Sequence, residues 1–238
     1  MKKILLSLFT LLSVHLFAQD VILNDANAEK RSLSSGFNAI KVSDGIDLLL
    51  TQGSEESLAV SASEPKYLAK LKTEIVNGTL KIYYDNAGMI WNSNDKRKLK
   101  AYVSFKTLEK LQASSGANVK ASSVLNISRL ELKVSSGALF SSEVNITQLT
   151  ATQDSGGEIN ITGKTSELTV EASSGGIFKG YELVCDYCKA KASSGGSVRI
   201  NVEKELNAKA SSGGGIHYKG NAVIKEVDIN SGGSVKRA

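Results

Sequence analysis

The chain has 238 residues and a formal net charge of +5; 41% of it is hydrophobic, 22% charged and only 6% aromatic. That length accommodates two domains at most. So mild a positive charge argues against nucleic acid as a partner.

Met1 to Gln19 reads MKKILLSLFTLLSVHLFAQ, with Lys2 and Lys3 ahead of an apolar run from Ile4 to Phe17 and then small Ala18. Basic start, apolar middle and small-residue end are the pattern of a cleaved signal peptide. A membrane anchor is the competing reading, but the run is too short to span a bilayer core comfortably. No cysteine follows it, so a lipoprotein anchor is unsupported. Loss of Lys2 and Lys3 with the leader lowers the formal charge from +5 to +3. The expectation is a leader at 1–19, an N-terminal β region at 20–106 continuous with a solenoid, and the repeat solenoid itself at 107–238.

From Gly36 the chain reads GFNAIKVSDGIDLLLTQG, whose apolar positions Phe37, Ile40, Val42, Ile46, Leu48 and Leu50 predict two strands joined near Asp44-Gly45. Leu58 to Ala62 predicts another strand. Glu64-Pro65 opens a predicted short helix through Leu71, since proline is preorganised for a first helical turn. Asn77-Gly78 marks a turn before a strand from Thr79 to Tyr84. Asn86 to Lys100, which holds Trp91 and the basic run Lys96, Arg97, Lys98 and Lys100, reads as an exposed loop before a strand from Ala101 to Phe105. Trp91 beside those cations is a candidate for contact with a glycan or an acidic surface, although charge runs are usually only solvated.

The remaining sequence is an internal repeat. Gly116, Gly137, Gly156, Gly175, Gly195, Gly213 and Gly232 are spaced by 21, 19, 19, 20, 18 and 19 residues, and a serine precedes each. With each glycine as position zero, position +3 is Val119, Phe140, Ile159, Phe178, Val198, Ile216 and Val235, apolar throughout. Positions −5 and −3 are apolar too, except that Gln153 interrupts the −3 column. Position −7 is Leu130, Leu149, Leu168, Cys188 and Leu206 in the middle repeats. These positions share one parity while −6 and −4 are polar, which is the period-2 signature of a strand with one buried face and excludes a helix.

One repeat buries about four apolar side chains at about 1.5–3 kcal/mol each. Fixing about 20 residues of backbone costs about 1–2 kcal/mol per residue. A lone repeat therefore cannot fold, and stability must come from stacking. At about 4.8 Å per rung, seven repeats would stack to roughly 30 Å. The repeat length suits one turn of a parallel, β-helix-like solenoid of two or three short strands rather than a propeller blade of about 40 residues.

Seven Ser-Gly pairs invite a catalytic or phosphate-binding reading. A nucleophilic serine needs a base and an orienting partner, yet beyond the leader only His217 remains. Neither a Gly-x-Ser-x-Gly elbow nor a Gly-Lys-Ser/Thr ending occurs. Calcium binding would need a recurrent aspartate, and Asp154 stands alone. The pair is expected instead to form a tight corner, with glycine free in φ and with Ser at −1 and Gly or Ala at +1 on the inward parity. Stacked serines would then form a hydroxyl ladder.

GFNAIKVSDGIDLLLTQG, then NGTLKIYY, then LEKLQASSGANV and the recurring SSG units resemble the GIN-domain family of auto-transporter adhesin heads. The resemblance covers nearly the whole chain after the leader. It implies an exported, all-β, solenoid-like protein of the Gram-negative envelope and brings no catalytic residue with it.

Two further features hold chemistry. Cys185 and Cys188 form Cys-Asp-Tyr-Cys, which in an oxidising compartment allows a buried pair or a local disulfide. A redox role lacks its βαβ context, and two thiolates do not complete a zinc site. The outward position +4 reads Lys120, Ser141, Asn160, Lys179, Arg199, His217 and Lys236. Stacked at strand spacing, Lys120, Lys179, Arg199, His217 and Lys236 could meet an acidic polysaccharide or lipid headgroups, while lysines on a sheet also serve simply to keep it soluble.

The sequence thus points to an exported, non-enzymatic adhesion or scaffold module of the cell envelope, periplasmic or surface-exposed. It would need no cofactor or metal and would present solenoid faces to a glycan or a cell-surface protein. The alternative is a polysaccharide lyase or hydrolase built on a β-solenoid, which would need clustered carboxylates on one face.

Overall fold

The computed structural model describes residues 25–86 and 96–238; the leader and Trp91 lie outside the described residues. The chain forms a parallel β-solenoid of about seven turns with additional strands at its N-terminus. In chain order the strands are β1 (Glu29–Arg31), β2 (Ala39–Val42), β3 (Asp47–Gln52), β4 (Ser57–Ser61), β5 (Leu71–Val76), β6 (Thr79–Tyr84), β7 (Lys100–Phe105), β8 (Lys110–Ala113) and β9 (Asn118–Ala121). The repeats continue with β10 (Leu125–Ser135), β11 (Leu139–Asp154), β12 (Glu158–Ala172), β13 (Ile177–Ala192), β14 (Ser197–Ala210), β15 (Gly215–Lys219), β16 (Val223–Ile229) and β17 (Ser234–Arg237).

Each turn has three arms. The first arm leads into the Ser-Gly corner, and its stack runs β6, β2, β8, β10, β11, β12, β13, β14, β16. The second leaves the corner, and its stack runs β7, β3, β9, β11, β12, β13, β14, β15, β17. A third arm closes the turn through the in-register residues Leu125, Val144, Gly163 and Leu183. The N-terminal turn β2–β3 thus lies between β6–β7 and β8–β9, so the chain builds one rung outward before returning over it. Antiparallel strands close that end: β5 on β6, β4 on β7 and β1 on β4.

The period-2 columns form one continuous core. Val119, Phe140, Ile159, Phe178, Val198 and Ile216 are buried, as are Leu130, Leu149, Leu168, Cys188 and Leu206. A further buried column, Val144 and Ile146 in β11 with Leu183 and Cys185 in β13, belongs to the third arm. Between Ile146 and Leu149 the inward parity slips by one residue, which marks a second bend, at Thr147-Gln148, that carries no glycine.

The expected helix is shorter than its sequence suggests. It spans only Pro65–Leu68, because Leu71 begins β5 and pairs across to Tyr84. Asn77-Gly78 joins β5 and β6 as a two-residue hairpin with φ of 50° and 71°, the type I′ geometry that Asn-Gly favours.

The Ser-Gly corner corrects a second expectation. Every corner serine has φ between 47° and 52° and every following glycine between 72° and 75°. An i to i+3 bond closes each turn, as from the Gly157 N–H to the Asp154 carbonyl at 2.8 Å. This is again a type I′ turn, with both central residues left-handed. The two left-handed residues at the tip belong to the turn and not to a strand, so strand parity does not set where their side chains point. The serine side therefore faces solvent: Ser115, Ser136, Ser155 and Ser174 are exposed, and no hydroxyl ladder forms among the described corner serines. The ladder is made of backbone. The Gly45 N–H donates to the Ser115 carbonyl at 2.9 Å, Gly116 to Ser136 at 3.0 Å, Gly137 to Ser155 at 3.2 Å, and so on to Gly213 and Ser231.

Position +1 does face inward, and it narrows along the stack from Ile46 through Ala117 and Ala138 to Gly157, Gly176, Gly196, Gly214 and Gly233. The closing bond shortens in parallel, from 3.1 Å at Ala117 and Ala138 to 2.8 Å at Gly157, Gly176, Gly196 and Gly214. A Cβ on Gly176 would lie 2.4 Å from the Gln153 carbonyl oxygen, whereas one on Gly156 would meet nothing within 4 Å. The two glycines of one corner type therefore serve different ends, one for φ and one for close backbone approach.

Gln153, the interruption in the −3 column, is fully buried, and neither its Oε1 nor its Nε2 has a hydrogen-bond partner among the described residues. An orphaned buried amide costs about 1–3 kcal/mol.

Two predictions follow from this geometry. Gly156→Ala should cost about 1–2 kcal/mol, the strain of a left-handed non-glycine residue. Gly176→Ala should cost more, about 3 kcal/mol, because backbone rather than a side chain must yield. Urea unfolding compares them, and equal losses would contradict the two roles. Gln153→Met keeps the length of the side chain and removes the orphaned atoms, so the same measurement should show a gain of about 1–3 kcal/mol; a loss would mean that the amide is satisfied in solution.

Candidate functional site

Strand register settles which of the outward cations meet. On the second-arm face, Leu49, Lys120, Ser141, Asn160, Lys179, Arg199, His217 and Lys236 are successive cross-strand neighbours. Lys179, Arg199, His217 and Lys236 therefore stand on four consecutive rungs, about 4.8 Å apart. Lys120 is set apart from them by Ser141 and Asn160. Trp91 and its part of the basic loop lie outside the described residues.

The neighbouring outward column, at +2, decides how much of this charge is free. Beside Lys179 it supplies an acid: Lys179 Nζ lies 2.6 Å from Glu158 Oε1. Further along it reads Ser197, Gly215 and Ser234. Arg199 and Lys236 consequently have no ion pair among the described residues, and Arg199 is exposed. His217 is half-buried between them in register, and its Nδ1 is buried without a hydrogen-bond partner. The small side chains alongside leave these groups in an open, shallow strip.

The first-arm face is different in kind. There Lys110 pairs with Glu131 at 2.7 Å, Lys191 with Glu171 at 2.8 Å and Lys209 with Glu226 at 2.9 Å. Such exposed pairs contribute little stability each, but they cancel charge. A groove of about 510 Å³ on that side is lined by Asn38, Asn77, Glu109, Lys110, Arg129 and Glu131. Its polar walls are tied to one another: Asn38 Nδ2 donates to Glu109 Oε2 at 2.9 Å. Arg129 donates to Gln148 Oε1 at 2.9 and 2.6 Å, and Gln148 Nε2 donates to Glu167 Oε2 at 3.1 Å. This relay runs along the second bend, which sequence reasoning missed because no glycine marks it.

The cysteines flank the same bend. Cys185 and Cys188 are buried free thiols. Cys185 Sγ donates to the Asn201 carbonyl at 3.2 Å. Hydrogen bonding with Cys185, and then burial, pushes the Cys188 thiol well above its usual range. A thiol held protonated is a poor nucleophile and a poor metal ligand.

At the N-terminal end, Tyr102 Oη donates to Asp25 Oδ2 at 2.6 Å, with Lys100 Nζ 3.4 Å from the same oxygen. The tyrosine hydrogen bond holds the Asp25 carboxyl below the usual carboxylate range. Burial, then the bond to Asp25, pushes the Tyr102 phenol up. This contact straps the segment before β1 onto β7. Among the described residues, no three His, Cys, Asp or Glu side chains gather as a metal site, and no helix is long and apolar enough to cross a membrane.

Comparison with known proteins bears on the fold and the family. The family model described as "Putative auto-transporter adhesin, head GIN domain" matches residues 36–222. Among solved structures, a "putative adhesin" from Bacteroides fragilis NCTC 9343 is similar with a TM-score of 0.80 at 16% identity, over 89% of this chain and 96% of that one. A "putative adhesin" from Parabacteroides merdae ATCC 43184 has a TM-score of 0.67 at 20% identity, over 90% and 97%. A "putative lipid binding protein" from Parabacteroides distasonis ATCC 8503 has a TM-score of 0.62 at 21% identity, over 90% and 98%. At these identities the likeness is one of fold. No curated protein matches the chain.

Proposed function

The chain belongs to the GIN head-domain family of auto-transporter adhesins, and from that membership we propose that it is an exported, non-enzymatic adhesion module whose second-arm face binds an anionic glycan. In this reading residues 1–19 are a cleaved leader, and 20–106 and 107–238 form one continuous solenoid delivered to the cell envelope.

The observation that carries the proposal is the pairing of Arg199, His217 and Lys236 on consecutive rungs with small, uncharged neighbours at Ser197, Gly215 and Ser234. Arg199 and Lys236, two rungs apart on a rigid sheet with the His217 imidazole between them, suit a polymer that repeats its own carboxylates or sulfates. An extended ligand can touch several of them at once. Each contact is then weak and solvent-screened, while the set gains from multivalency. On the first-arm face Lys110, Lys191 and Lys209 each have an acid beside them instead.

No reaction is assigned to this face. A lyase or hydrolase would need carboxylates converging on a bound sugar, and the groups that line the strip are cationic, histidine or small.

The test is binding of the leaderless protein to immobilised acidic polysaccharides, with neutral polysaccharides as controls. Arg199→Glu should weaken binding about tenfold, and added salt should weaken the parent protein similarly, because exposed charges are screened within a Debye length of about 8–10 Å. Binding that is indifferent to Arg199→Glu and to salt would refute the assignment of this face. Turnover of the polysaccharide would refute the non-enzymatic reading.

A further inference from the structure

The two ends of the solenoid are finished differently. At the N-terminal end the outermost rungs are overlaid by antiparallel strands, β5 on β6 and β4 on β7. At the other end, among the described residues, β16 pairs only with β14 and β17 only with β15, so each leaves one ladder edge open. The residues that would continue the core columns are uncovered there: Ile224 is 41% exposed, Val227 45% and Ile229 49%. Their counterparts one rung inward, Leu206, Ala208 and Ala210, are fully buried. An open ladder edge beside an apolar strip is a template for strand addition.

We propose that this rung is a self-association surface, on which a second copy of the chain docks end to end about a two-fold axis through the Ser231-Gly232 corner. The inference goes beyond the glycan-binding reading and does not depend on it; in the dimer Lys236 is engaged across the seam, which leaves Lys179, Arg199 and His217 to the face proposed for the glycan. In the terminal rung β16 runs towards the corner and β17 runs away from it. A two-fold axis through the corner therefore lays β16 of one copy antiparallel on β17 of the other, twice over. Antiparallel addition is what the protein already uses to cover its opposite end.

The outward charges argue for a second copy as the occupant. Inward Val227 and Ile229 must face inward Val235 of the partner, because a slip of one residue would turn the apolar set to solvent. That parity leaves two registers, which place either Asp228 or Glu226 opposite Lys236 of the partner. Glu226 is already held by Lys209 at 2.9 Å. Asp228 and Lys236 have no ion pair among the described residues, and Asp228 accepts only a long contact from Asn230 Nδ2 at 3.5 Å. The register that joins Ile229 to Val235 and Asp228 to Lys236 therefore satisfies both free charges and both apolar strips. The surface is self-complementary, as a two-fold interface requires.

Analytical ultracentrifugation of the leaderless protein tests this, with circular dichroism and thermal melting as controls for folding. The parent protein should sediment as a concentration-dependent dimer. Val227→Arg, at an exposed position, should yield a folded monomer. Asp228→Lys and Lys236→Asp should each weaken the dimer about tenfold or more, and the double variant, whose charges are exchanged, should regain it. A parent protein that stays monomeric at all concentrations would overturn the proposal. So would a dimer indifferent to Val227→Arg, or charge reversals that the double variant does not rescue. Arg199→Glu should leave the dimer intact, so failure here and failure of the glycan reading are separately visible.

Discussion

Everything in this molecule depends on the direct superposition of one corner on the next. A single rung cannot stabilise itself by burial, so its backbone groups and its apolar side chains must both be completed by neighbours. The type I′ corner makes that possible. It reverses the chain within two residues and turns a glycine N–H along the solenoid axis onto the serine carbonyl of the next rung, from Gly45 to Gly213. Because the corners coincide, the columns on either side coincide, and Phe140, Ile159, Phe178 and Val198 form one stack. Narrowing of the +1 position from Ile46 to Gly157 shows the same constraint acting on side-chain volume.

That regularity also shapes the surface. Register turns one outward position per repeat into a continuous line, so the chemistry of a face depends on which residue types share a column. On the first-arm face, Lys110, Lys191 and Lys209 each pair with an acid on a neighbouring rung. On the second-arm face, the acid partner disappears beyond Glu158, and Arg199, His217 and Lys236 are left among serine and glycine. Under the proposed function, such a face offers an elongated partner a repeated contact. The exposed valines and isoleucines of β16 lie on a rung that, among the described residues, is paired on one side.

Much of this was legible in the sequence, and the exceptions have physical reasons. The apolar columns at −7, −5, −3 and +3 and the cationic column at +4 were readable because strand parity holds within an arm. Cys188 was rightly placed in a core column, as its burial confirms. The orientation of the corner serines was misread because parity was extended to the two left-handed residues at the tip, although the positions on either side, −3, +1 and +3, do keep it. The sequence leaves open whether a turn has two arms or three, and the Arg129–Gln148–Glu167 relay was missed, because the bend at Thr147-Gln148 uses ordinary residues and leaves no punctuation. The folding of β2–β3 between two later rungs was likewise hidden, since period-2 patterning gives each strand a face but not its neighbour. Pairing of Arg199 with small neighbours at +2 was available in the sequence and needed only a second column to be read beside the first.

Hydrogen exchange at the corner glycines bears most directly on this account. If superposed corners hold the solenoid together, the N–H groups of Gly156, Gly175 and Gly195 should exchange only on global unfolding, as slowly as the strand amides of Ala151 and Val170. Corner amides that exchange at the rate of exposed loops, while those strands stay protected, would show that the rungs are held by their arms and that the corners merely follow.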